Sequence, residues 1–132
     1  KNLETKLKIE SWDEKPYREH DDGRKFTKAD VVLGGDDQGI EKATMESLMY
    51  YAPDGTGTFL SFMEITGKID GRRGSFVVEG RGTYDKTTAA SDYRVVPGSG
   101  TGDLAGIDGE GSSRSTHDDY PHMPLSLRYD LG

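Results

Sequence analysis

The chain has no cysteine, which excludes disulfide bonds, thiolate metal sites and a cysteine nucleophile within its 132 residues. It also has no apolar run near the ~20 residues that a membrane-spanning helix needs. The first ten residues alternate between polar and apolar side chains and lack the apolar centre of a secretory signal. These absences predict a cytoplasmic protein with no membrane partner.

Positive charge is in short supply, since 17 Lys and Arg residues stand against 24 Asp and Glu, for a net charge of -7. An acidic surface repels phosphate backbones, so no nucleic-acid partner is expected. The length fits one domain over residues 1–132. Only 32% of the residues are hydrophobic, but they fall in regular clusters between glycine-rich turns, which indicates a folded β protein.

The dominant sequence period is two, as expected for half-buried strands. Strong turn signals separate the clusters, for example at Asp70-Gly71, and the first strand is predicted to end at residues 13–16. We predict an all-β fold, an eight-stranded antiparallel closed barrel, with a two-sheet sandwich as the alternative. The predicted strands cover residues 3–9, 29–33, 40–51, 59–66, 75–84, a sixth ending at 93–96, 101–111 and 125–131.

Two strands carry the candidate catalytic residues. Glu64 lies mid-strand with apolar neighbours on its own face, and an inward carboxylate there would be desolvated and suited to acid–base chemistry. Glu46 and Tyr50 share one face of the preceding strand. If the two strands pair, all three side chains line one cavity. The alternative for Glu64 is a position on the solvent side of the sheet.

Four further residues are candidates for ligand binding. Leu48 and Phe62 lie on the same strand faces as the three catalytic candidates, and Glu79 lies mid-strand beyond Val78. Solvent exposure is the favoured alternative for Glu79. Trp12 is a candidate cavity wall, although core packing is the commoner role for such a side chain.

Two motifs suggest sites but fit structural roles better. The glycine-rich run 98–102 lacks the Lys-Ser/Thr pair and the helix of a phosphate loop, so we interpret it as a tight turn with a close-packed strand. Residues 117–122 include His117, Asp119 and His122, which are metal-ligand types, but flanking prolines indicate a surface loop. No metal or other cofactor is expected.

Five segments, in this order and spacing, resemble the bacterial family called domain of unknown function 3224. They are residues 10–14 (ESWDE), 48–51 (LMYY), 62–67 (FMEITG), 71–77 (GRRGSFV) and 95–106 (VVPGSGTGDLAG). The resemblance implies an allene-oxide-cyclase-like barrel, a fold group that includes isomerases and cyclases. This chain departs from the family pattern at Glu79-Gly80, where the family often has a Gln-His pair.

These observations lead to three functional hypotheses. In the first, the barrel encloses a pocket for a small apolar molecule and acts as a cofactor-independent isomerase or cyclase, with Glu64 as acid, base or polarising group. In the second, the same pocket belongs to a non-catalytic binding or carrier module. In the third, side chains fill the interior and the barrel acts only in assembly. A homo-oligomer is compatible with all three, but the sequence shows no clear exposed apolar patch.

Overall fold

The protein is described by a computed structural model that covers residues 1–132. Two short 3-10 helices, Gly102–Leu104 and His117–Asp119, are its helical segments, and none is long or apolar enough to cross a bilayer. The strands are β1 (Asn2–Glu19), β2 (Lys25–Gly34), β3 (Ile40–Tyr51), β4 (Gly57–Ile69), β5 (Arg72–Tyr84), β6 (Thr88–Val95), β7 (Asp108–Thr116) and β8 (His122–Asp130).

The strands form one closed ring. Each strand pairs antiparallel with its neighbours in chain order, and β1 also pairs with β8, which closes the ring. No break in the pairing divides the strands into two sheets, so the sandwich alternative is wrong. The all-β class and the eight antiparallel strands are confirmed.

Strand β1 is longer than the sequence suggests. The predicted end at residues 13–16 is wrong, because β1 continues to Glu19 beside β2. A register shift between Ile9 and Ser11 inserts one extra residue. Such a bulge exchanges the two faces of a strand. Leu7 is buried before the bulge, whereas after it Trp12 and Glu14 pair with the buried Val31 and Ala29 on the inner face.

One end of the ring is filled. We call it the closed end, where the β2–β3, β4–β5 and β6–β7 connections and both chain termini lie. Fully buried aliphatic and aromatic side chains meet inside it. They include Leu33, Ile65, Phe76, Val78, Val95 and Leu104.

The glycine-rich segment caps the closed end. The prediction of a strand over residues 101–111 is wrong in its first half, because residues 96–107 fold over the ring and β7 begins at Asp108. The Ser99 hydroxyl accepts a hydrogen bond from the Val77 amide, and Thr101 is bonded to the backbone of Ser75. A Cβ at Gly100 would overlap the Leu104 carbonyl oxygen. Glycine is therefore used here for close packing, as the sequence indicated.

Candidate functional site

The opposite end of the ring, which we call the open end, contains a cavity of about 420 Å³. This volume lies within the range of small-molecule sites, roughly 300–1,000 Å³. Side chains therefore do not fill the ring at this end. The lining residues come from all the strands except β2 and from the open-end loops: Ile9, Trp12, Met45, Ser47, Met49, Tyr50, Tyr51, Gly57, Thr58, Phe59, Tyr84, Thr87, Ala89, Ser91, Tyr93, Ser113, Ser115, Thr116, His117, Tyr120 and Met123.

The cavity wall is electrically neutral except for His117 at the edge of the open end. Apolar and aromatic side chains make most of it, and hydroxyl groups supply most of its side-chain polar atoms. Ser47 and Ser61 hydrogen-bond to each other across β3 and β4 with an Oγ–Oγ distance of 2.6 Å. Ser91 and Ser113 form a second buried cross-strand pair. Small hydroxyl side chains therefore leave space where larger residues would fill the ring.

A carboxylate lies just behind this wall. Glu14 on β1 accepts hydrogen bonds from three groups: the Thr27 hydroxyl at 2.7 Å, the Tyr51 hydroxyl at 2.8 Å and the Trp12 indole N–H at 2.9 Å. Trp12 and Tyr51 themselves line the cavity. Glu14 consequently fixes the orientation of two aromatic wall residues.

The environment separates the proton affinities of Glu14 and Tyr51. Burial by itself raises the pKa of the Glu14 carboxyl, but the hydrogen bonds from Thr27, Trp12 and Tyr51 outweigh it and hold this pKa below its usual 4.5. Burial, followed by the bond to Glu14, raises the pKa of the Tyr51 phenol. Burial also raises the pKa of the Tyr93 phenol. At neutral pH, Glu14 is therefore ionised while both phenols keep their protons.

The Glu14 network gives a pH-dependent contribution to stability. Because the pKa of Glu14 is lower in the folded state, its stabilisation is complete above pH 4.5 and is lost as the pH falls through the folded-state pKa. We expect Glu14→Gln to lower the free energy of unfolding by about 1 kcal/mol at pH 7. Urea denaturation at pH 7 and at pH 3.5 should show this difference shrinking at the lower pH. Glu19→Gln, at an exposed position of the same strand, is the control, and a difference that stays constant with pH would contradict the assignment.

The carboxylates that the sequence singled out lie elsewhere. Glu46 and Glu64 are exposed on the outer face of β3 and β4, so the prediction that they line one cavity with Tyr50 is wrong. Their exposure removes the desolvation that motivated an acid–base role. The inner face of β4 instead carries Ser61 and Met63. A catalytic role for Glu46, Glu64 or Tyr50 stays a prediction.

The remaining candidates divide between the two faces. Trp12 is 46% exposed at the cavity, so it is a wall residue and not a core plug. Tyr50 borders the cavity at the rim, where its ring centroid lies 5.1 Å from that of Phe26. Leu48 and Phe62 point outward and are exposed, so their predicted place in the cavity wall is wrong. Glu79 is also exposed on the outer face, as its favoured alternative predicted.

Sequence reasoning missed Glu14 and Tyr51 as a pair. Both lie in segments that carry the family resemblance, 10–14 and 48–51, and that resemblance is the one signal that could have pointed to them. Their meeting depends on the β1 bulge and on the pairing of β1 with β2 as far as Glu14. Neither feature has a distinct signature in the residue pattern.

The segment after β7 is a structured turn. Asp119 accepts hydrogen bonds from the Thr116 amide and hydroxyl, and the His117 ring bonds the Lys86 carbonyl at 2.9 Å. Nowhere in residues 1–132 do three or more His, Asp or Glu side chains converge as a potential metal site. The segment therefore forms part of the open-end rim.

The strand ring and its one-sided cavity define a small all-β protein with an interior open at one end. The chain belongs to the protein family of unknown function DUF3224, whose family model matches residues 3–129, and the predicted family is thereby confirmed. The crystal structure of a DUF3224 family protein of unknown function from Shewanella oneidensis MR-1 is similar, with a TM-score of 0.75 and 20% sequence identity over 100% of this chain and 99% of that chain. At this identity the likeness shows the fold alone. Among curated proteins, none matches the chain.

Proposed function

We propose that this protein binds one neutral, mostly apolar small molecule in the open-end cavity. The supporting observation is the composition of the wall: an apolar cavity of about 420 Å³ with hydroxyl groups and one peripheral histidine, His117, as its polar members. Such a wall favours a ligand with few hydrogen-bonding atoms and no formal charge, because a buried unpaired charge is strongly unfavourable.

The polar atoms in and behind the cavity wall would orient the bound molecule. The Glu14 carboxylate fixes Trp12 and Tyr51 before a ligand enters, and the Ser91–Ser113 pair offers hydroxyl groups deeper inside. A preformed wall reduces the conformational entropy lost on binding. The proposed ligand is therefore a largely hydrophobic molecule with one or two neutral polar groups, such as a hydroxyl, ketone or ester.

A cofactor-independent isomerase or cyclase is the second candidate, and it shares the same cavity. This candidate extends the fold assignment to an allene-oxide-cyclase-like barrel, which is a proposal by analogy. Its specific support is the ionised Glu14 directly behind the Tyr51 and Trp12 rings, since a fixed negative charge beside an apolar site stabilises positive charge that develops in a bound molecule.

Two adjacent alanines provide a matched test of cavity binding. Ala89 lines the cavity, whereas the next residue, Ala90, points to the outer face. We expect Ala89→Phe to weaken binding of a neutral fluorescent probe such as N-phenyl-1-naphthylamine by about tenfold or more, because the ring occupies ligand space. Ala90→Phe should retain wild-type affinity within about twofold. Equal affinity of all three proteins would place the probe elsewhere.

Native mass spectrometry separates the carrier from the enzyme. The purified protein is measured intact, and any co-purifying molecule is extracted, identified and incubated with fresh protein. A carrier returns the molecule unaltered, whereas an isomerase converts it to a product of equal mass with a different retention time. Trp12 is the single tryptophan and lies in the cavity wall, so its fluorescence reports occupancy directly.

A further inference from the structure

The outer face of β3 and β4 carries an apolar patch that the sequence did not reveal. Leu48, Leu60 and Phe62 are 52%, 56% and 59% exposed. Leu48 and Leu60 are direct cross-strand partners, and Phe62 follows on the same face of β4. Contiguous exposed apolar side chains of this size mark interaction surfaces. We call these three residues the outer patch.

Charged residues flank the outer patch in two parallel rows that cross the sheet. The strand register assigns each row one outward residue per strand from β2 to β6. The first row is Lys28, Leu48, Leu60, Arg81 and Asp92. The second row is Asp30, Glu46, Phe62, Glu79 and Arg94. A groove of about 660 Å³ separates the rows.

The two rows are complementary to each other strand by strand. Lys28 in the first row corresponds to Asp30 in the second, Arg81 to Glu79, and Asp92 to Arg94, while Leu60 corresponds to Phe62. On each strand that carries a charged residue in both rows, the two charges have opposite signs. On β3 the apolar Leu48 corresponds to Glu46, so no like charges coincide.

This pattern is the one that a two-fold symmetric contact requires. A two-fold axis along the groove, in the plane of the face, places the first row of one copy against the second row of the other. Leu60 then meets the partner's Phe62, and Arg81 meets the partner's Glu79, each twice per dimer. Because the ring curves away on both sides, β3, β4 and β5 form the centre, and side chains of β2 and β6 flank it.

The charges of the two rows on β5 and β6 have no partner within the chain, whereas Lys28 on β2 pairs with both Asp30 and Glu46. Arg81, Glu79, Asp92 and Arg94 lie in cross-strand positions but form no ion pair within 4.0 Å. They are thus available to a second molecule. We propose that the outer patch is the interface of a symmetric homodimer of this chain, with the cavities of the two copies left open. Only one side of the curved ring takes part, so we expect micromolar association.

Charge reversal at one contact tests the dimer and its symmetry together. Arg81→Glu and Glu79→Arg each place like charges at both symmetric contacts, so each variant should associate about tenfold or more weakly than wild type. An equimolar mixture of the two single variants restores opposite charges at both contacts, as does the double variant. Sedimentation velocity from about 5 to 500 µM measures all of these proteins, with Arg114→Glu on the outer face of β7 as the control.

The outcomes discriminate clearly. The proposal is supported if the wild type, the mixture and the double variant form dimers while each single variant associates weakly. A monomeric wild type over the whole range overturns it. Dimers that persist in both single variants place the interface elsewhere and overturn it too. Weak association that the mixture fails to restore overturns the two-fold contact and leaves the patch to a different protein. Probe binding in the cavity is independent of all these results, so failure of one proposal does not affect the other.

Discussion

Replacing Phe76 with alanine is expected to lower the free energy of unfolding by about 3–5 kcal/mol. Phe76 is completely buried at the closed end, where it lies opposite Ile65 of β4. Its removal loses the transfer free energy of the ring and leaves a void that the rigid strands around it cannot close. Urea denaturation followed by circular dichroism measures the change.

Val77→Ala is the matched control for this prediction. Val77 is the next residue of β5, is incompletely buried and points outward. We expect a change of only about 1 kcal/mol there, because fewer atoms are removed and the outer face leaves no enclosed void. A loss at Phe76 no larger than the loss at Val77 would contradict the view that the closed end carries the stability of the ring.

Replacing Gly100 with alanine is the second large expected effect. An added Cβ would overlap the Leu104 carbonyl oxygen, which is backbone and cannot move aside without shifting the cap. The overlap and the partial exposure of the fully buried Leu104 together should lower the free energy of unfolding by about 3 kcal/mol. Thermal unfolding should show a correspondingly lower Tm.

Asp103→Ala supplies the comparison within the same segment. The Asp103 side chain is exposed in the 3-10 helix and makes no hydrogen bond or ion pair in the structure. Its removal should change the free energy of unfolding by no more than about 0.5 kcal/mol. If Gly100→Ala were equally mild, the cap would be a loosely attached loop and not part of the core.

The regular strands could be predicted from the sequence, whereas the course of β1 could not. Alternation along β3 predicted its range, residues 40–51, and Asp70-Gly71 gave the β4–β5 hairpin, in which both residues have positive φ. The prediction for β1 failed because a bulge changes which residues face inward, and the residue types do not reveal this change. The proline-containing stretch at residues 13–16 also read as a turn, although Pro16 lies in a paired strand next to the second irregularity.

The candidate site was misplaced for a physical reason. On β3 and β4 the outer residues Leu48, Leu60 and Phe62 are more apolar than the inner Ser47 and Ser61. The usual rule assigns the more hydrophobic face to the interior. The rule is ambiguous at these positions because the inner face, which also carries Met45, Met49 and Met63, has serines beside the cavity, while the outer face carries the proposed interface.

The unequal filling of the ring has a consequence for how this family can diversify. The residues that would select a ligand under the proposed function, such as Ala89 and Ser91, occupy the halves of the strands farthest from the fully packed closed end. Substitutions among them change recognition while removing few of the contacts that hold the protein together. If the proposed function holds, changes of specificity are largely uncoupled from folding, and laboratory evolution should be able to alter the ligand without loss of the scaffold.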